Sequence, residues 1–148
     1  MKAAAFMGKR DIRLVDVPEP KIDDNGLLIK VHACGICGSD IHVYNSDLLT
    51  EDSTKVIGDY RIIGHEFTGE IVEVGKNLKT FKVGERVASV HNKGGLAEYV
   101  EIPGDRLKNL FKLPDGLRGK GGGTRNVGLA PVQDRFRNVF GLGVIHQH

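Results

Sequence analysis

The chain has 148 residues, 40% hydrophobic and 27% charged, which is the composition of about one water-soluble domain. No apolar run approaches the roughly 18 residues of a membrane span, and no basic-then-apolar leader opens the sequence, so a cytoplasmic location is expected. The net charge of +2 is uninformative as a total, and neither a nucleic acid nor a membrane is expected as a partner. Its distribution says more. Residues 1–117 carry 16 Lys/Arg against 18 Asp/Glu, net −2, whereas residues 118–148 carry 5 against 1, net +4.

In chain order, residues 1–7 and 11–17 read as two strands around a Gly-Lys-Arg turn, ended by Pro18 and Pro20, which remove ladder donors. Asp23-Asp24-Asn25-Gly26 is a turn signal, and residues 27–33 (LLIKVHA) form a strand. In residues 34–44 (CGICGSDIHVY) the glycines suit a tight turn. Ser39 is then placed to cap a short helix with Asp40 in its first turn. Residues 46–59 are polar and read as a surface loop. Residues 62–74 read as a strand pair or bent strand interrupted at Gly64 and Gly69. Further short strands follow at 83–88 and 97–102, separated by the Gly94-Gly95 turn. With 20 glycines, many short strands and no regular βαβ alternation, the expected fold is mainly β with short helices, closed like a barrel.

The chemistry-bearing residues gather early. His32, Cys34, Cys37, His42 and His65 fall within 34 residues, with Glu66 directly after His65. Zinc takes thiolate, imidazole and carboxylate in tetrahedral sets, and a catalytic site keeps one corner open. Two cysteines so close together do not frame a secreted disulfide scaffold, and in a reducing compartment such a pair more often binds metal or does redox work. Spacing alone leaves two readings open: a metal site, or a buried cysteine with surface histidines. A thioredoxin-like redox reading fails for want of a βαβ context.

The segment Gly64-His65-Glu66-Phe67-Thr68-Gly69 followed by Gly75 resembles the zinc signature of medium-chain alcohol dehydrogenases, GHE-x2-G-x5-G. Residues 33–42 (ACGICGSDIH) are similar to the catalytic-cysteine segment of that family, in the variety of sorbitol and threonine dehydrogenases. The pieces VGERV (83–87), GGLAEYV (94–100) and LPDG (113–116) follow in family order. The resemblance covers residues 1–117 and implies a GroES-like β-barrel domain. It implies Cys37 and His65 as zinc ligands, with Glu66 a ligand or just behind the metal. It further implies Ser39 and His42 as a proton relay from the substrate alcohol, and Asp40 as the acid that fixes the ring of the zinc-bound imidazole. Catalytic zinc and a small-molecule alcohol or polyol substrate follow from it.

Three departures qualify the resemblance. The family's four-cysteine structural-zinc lobe should fall between Val90 and Gly94, where only His91-Asn92-Lys93 stands, a shortcut shared with quinone-reductase-like relatives. A Gly-x-Gly-x-x-Gly turn between strand and helix is needed for NAD(P). The clusters at 119–123 and at Gly141-x-Gly143 do not supply one, so no cofactor-binding residue is assigned and this chain alone is expected not to bind NAD(P) or turn over. Residues 118–148 form an atypical basic, Gly-rich tail. A truncated reading of a longer gene, a flexible extension or a homo-oligomeric contact would each account for it. The competing function is a non-catalytic zinc-binding or protein-interaction module on the same fold.

Overall fold

The computed structural model describes residues 1–46, 54–90 and 92–114. The expectations for residues 118–148, including the basic loop, lie outside these, as do segment 47–53 and His91.

Alternating apolar residues and turn signals produce nine strands among the described residues, all paired antiparallel. Strands β1 (Lys2–Gly8) and β2 (Asp11–Asp16) form a hairpin. Next come β3 (Leu27–Gly35), helix α1 (Gly38–Asn45), β4 (Lys55–Ile57), β5 (Tyr60–Ile62), β6 (Glu66–Val74), β7 (Arg86–Val90) and β8 (Tyr99–Ile102). A 3-10 helix, Gly104–Asn109, leads into β9 (Leu110–Lys112). One sheet runs β2-β1-β5-β4 and the other β8-β3-β6-β7-β9. No βαβ crossover occurs among the described residues.

The two sheets are stitched along one seam, residues 95–98. Ala3 bridges Ala97, Ala4 N–H donates to Leu96 C=O at 2.8 Å, and Glu98 N–H donates to Lys2 C=O at 3.1 Å. The same segment reaches the second sheet, where Val31 N–H donates to Glu98 C=O at 2.8 Å. It also binds the link between β5 and β6, with Gly95 N–H on Gly64 C=O at 2.8 Å and Leu96 N–H on Ile63 C=O at 3.1 Å. Inside lie Leu27, Ile29, Ile62, Ile63, Ile71, Val87, Val100 and Ile102, all fully buried. Each contributes roughly 1.5–3 kcal/mol by leaving water.

Two expectations are corrected. Residues 46–59 are not all surface loop: Thr54 is buried, and β4 and β5 form a hairpin over Gly58-Asp59. Val56 and Tyr60 suit strands, but the three-residue strands are too short to show a period. Gly69 does not interrupt β6 but sits within it, because Lys30 C=O and the Ile29 side chain occupy the space a Cβ would need. Gly64 does end a strand segment, with φ +89° between β5 and β6.

Strand β3 contains a bulge. Val31 pairs with Gly69 and Ala33 with Thr68, so His32 is the extra residue. Before it Leu27, Ile29 and Val31 face the core; after it Cys34 does. The bulge restores the register lost at Val72, an extra residue of β6 between the Leu28–Glu73 and Ile29–Ile71 pairs, and leaves Gly35 opposite Glu66 at the end of the ladder.

Candidate metal centre

That last pair determines the site. Chain leaving β3 after Gly35 and chain entering β6 at Glu66 meet at the same end of the sheet, which brings Cys37 and His65 together. Cys37 Sγ lies 3.3 Å from His65 Nε2. A thiolate and an imidazole sharing one tetrahedral zinc, at bond lengths of about 2.3 and 2.1 Å, stand about 3.6 Å apart. The pair therefore fits a shared ion in both donor chemistry and spacing.

Asp40 completes a group of three, Cys37, Asp40 and His65, whose donor atoms all lie within 4.8 Å of one another and could hold a metal ion. Its carboxylate is buried, and Oδ1 faces His65 Nδ1 at 3.6 Å, on the ring's far side from the sulfur. The other oxygen, Oδ2, accepts the backbone N–H of Cys37 at 2.9 Å. One carboxylate thus bonds the backbone that carries the thiol and faces the ring opposite that thiol.

Helix α1 is capped differently from expectation. Cys37 occupies the N-cap with extended backbone, and Asp40, at the third helical position, reaches back to it. Ser39 is not the cap because the helix begins one residue earlier, at Gly38. Its hydroxyl bonds the Cys37 sulfur instead, at 2.8 Å. His42 is exposed on α1, three residues beyond Ser39 and so on the same side of the helix. Glu66, half-buried at the start of β6 between Gly35 and Val90, stands outside the group of three.

Cys34 is buried, and its sulfur would be 2.9 Å from a Cβ on either Gly64 or Gly95. It packs the seam behind His65. The sequence carries no signal for this seam beyond the glycines, because its partners come from residues more than 30 positions apart.

Residues 23–115 match the alcohol dehydrogenase GroES-like domain family, and the chain belongs to that family. An L-threonine 3-dehydrogenase of Shewanella sp. (strain ANA-3) is 34% identical over 167 aligned positions, taking in 94% of this chain and 45% of the relative. That of Enterobacter sp. (strain 638) is 35% identical with the same coverage. Among solved structures, 2R,3R-butanediol dehydrogenase from Bacillus subtilis superposes with a TM-score of 0.62 at 32% identity, over 77% of this chain and 40% of that one. Alcohol dehydrogenase TADH from Thermus sp. ATN1 gives 0.65 at 25% identity, over 81% and 42%. The chain thus spans less than half the length of these relatives. No helix among the described residues is long and apolar enough to cross a membrane.

Proposed function

We propose that this chain supplies the zinc- and alcohol-binding part of an NAD(P)-linked dehydrogenase acting on a secondary alcohol or polyol, with residues 1–117 as the working domain. The observation behind this reading is Cys37 Sγ facing His65 Nε2 at 3.3 Å with the Ser39 hydroxyl 2.8 Å from the same sulfur.

In this reading Cys37 as thiolate and His65 through Nε2 hold the ion. Glu66 is the carboxylate proposed to complete the set. Asp40 acts from behind: its position on the Nδ1 side orients the ring and keeps Nε2 directed at the sulfur. A zinc ion held there supplies Lewis acidity, which eases ionisation of an adjacent hydroxyl. The protein's own groups then handle the proton. Ser39 Oγ takes it from the substrate alcohol, and His42, one turn further along α1 and exposed, hands it to solvent. Hydride transfer needs a nicotinamide, for which we assign no residue of this chain.

Metal analysis of the purified protein tests the reading. About one zinc per chain is expected, falling sharply in Cys37→Ser and hardly at all in Cys34→Ser. Equal loss from both would mean the two cysteines bind jointly and the ligand set is wrong. Alcohol-dependent reduction of NAD(P) is expected to be absent from the 148-residue chain and to appear only when a dinucleotide-binding domain is joined to it. Zinc binding without turnover in that joined protein would favour the non-catalytic module.

A further inference from the structure

A concavity of about 270 Å³ lies where β4, the Asn92-Lys93 segment and the end of β8 converge. None of Cys37, Ser39, Asp40 or His65 lines it. Its volume is just under the roughly 300 Å³ at which small-molecule pockets begin, ample for a phosphate or a short carboxylic acid.

Two features of the lining point to a ligand of one kind. The first is Thr54, which is 5% exposed and lines the cavity. Its Oγ1 is the buried side-chain oxygen without a hydrogen-bond partner among the described residues. Native proteins seldom leave a buried hydroxyl unsatisfied. The second is charge. Lys55, Lys93 and Arg106 line the cavity with a single acid, Glu101. That acid is already neutralised: Lys55 Nζ pairs with its carboxylate and also donates to Glu101 C=O at 2.6 Å. The Arg106 guanidinium meets only Asp105 among the described residues, at 3.9 Å, beyond hydrogen-bond reach. Ile102 adds an apolar wall that lowers the local dielectric and strengthens any charge contact made there.

We propose that this cavity binds a small oxyanion, a phosphate or carboxylate group, with Thr54 Oγ1 as donor and the Arg106 guanidinium as counter-charge. A hydroxyl and a planar fork of N–H donors suit oxyanion geometry. The site is independent of the metal centre and of the dehydrogenase reading.

Thermal unfolding of the full chain tests this, with sodium phosphate and sodium malonate as probes and sodium chloride at matched ionic strength as control. At tenfold excess over Kd a rise in Tm of about 4 °C is expected, saturable and absent with chloride. A rise with phosphate alone assigns a phosphoryl ligand, and one with malonate alone a carboxylate. Thr54→Val should keep or raise the unliganded Tm, since it removes an unpaired hydroxyl with little change of shape, yet weaken binding about tenfold. Arg106→Gln, at an exposed position, should weaken it similarly and decides the matter if Thr54→Val folds poorly. The response should survive in Cys37→Ser. No response beyond chloride, undiminished binding in Arg106→Gln, or loss of the response in Cys37→Ser would each overturn the proposal.

Discussion

Gly35 and Glu66 are partners at the last rung of the β3–β6 ladder, and that pairing sets a thiol and an imidazole 28 positions apart in the chain within 3.3 Å of each other. The rung depends on two offsetting irregularities: the extra residue Val72 in β6 shifts the register by one, and the His32 bulge in β3 shifts it back. Metal-site geometry is therefore a property of strand register as much as of ligand identity.

Asp40 is the point at which helix and ring are held together. Replacing it with Asn keeps the size but removes the charge facing His65 Nδ1, and zinc affinity should fall about 10- to 100-fold. Asp40→Ala should in addition lose the bond from Cys37 N–H, destabilising the first turn of α1 by about 1 kcal/mol. Competition with a chromophoric chelator measures the first effect and urea unfolding the second. An unchanged affinity in Asp40→Asn would remove the orienting role.

Gly64 has φ +89°, and a Cβ there would lie 2.8 Å from Leu96 Cγ and 2.9 Å from Cys34 Sγ. Gly64→Ala should cost about 1–3 kcal/mol through backbone strain alone, with the clash added. His65 is the next residue, so metal affinity should fall with stability. A variant as stable as the parent by urea titration would contradict the seam packing described above.

Chelator treatment offers a direct check on the centre. If Cys37 and His65 bind zinc in the folded state, adding EDTA should lower Tm, and returning zinc should restore it. The same cycle applied to Cys37→Ser should move Tm little.

Glu85 accepts from Lys112 Nζ at 2.8 Å and from Lys82 N–H at 3.0 Å, and these bonds hold its pKa below the ordinary value of 4.5. A depressed folded-state pKa stabilises above the unfolded value and is lost as pH falls through the folded one. The stability difference between the parent and Glu85→Gln should therefore be constant above about pH 5 and shrink in more acidic solution. Because the group is partly exposed, the effect should be small and weaken with salt. A difference that grows on acidification would contradict this assignment.

Much of the fold could be read in advance, for physical reasons that differ by element. Strands β1, β2 and β3 carry enough residues to display apolar runs bounded by Pro, Asp and Gly, and they fall close to where the pattern placed them. Strands β4 and β9, three residues each, are too short to display a period. At the site, Cys37 and His65 stand out by residue type and neighbouring glycines. That Cys37 rather than Ser39 caps the helix could not be seen, because Cys is a rare cap and Ser a common one. The cavity lined by Thr54 was illegible for a different reason. Lys55 and Glu101 are 46 positions apart, and only folding makes them a pair.

The stitching of residues 95–98 to β1, to β3 and to the β5–β6 link has a consequence for how the molecule comes apart. Amide protons on both sheets should exchange with solvent as one cooperative unit, since neither layer can open without breaking this common hem. His65 follows directly on the hem's anchor at Gly64, so an ion bound there would act as a rivet, slowing that shared opening on both faces at once.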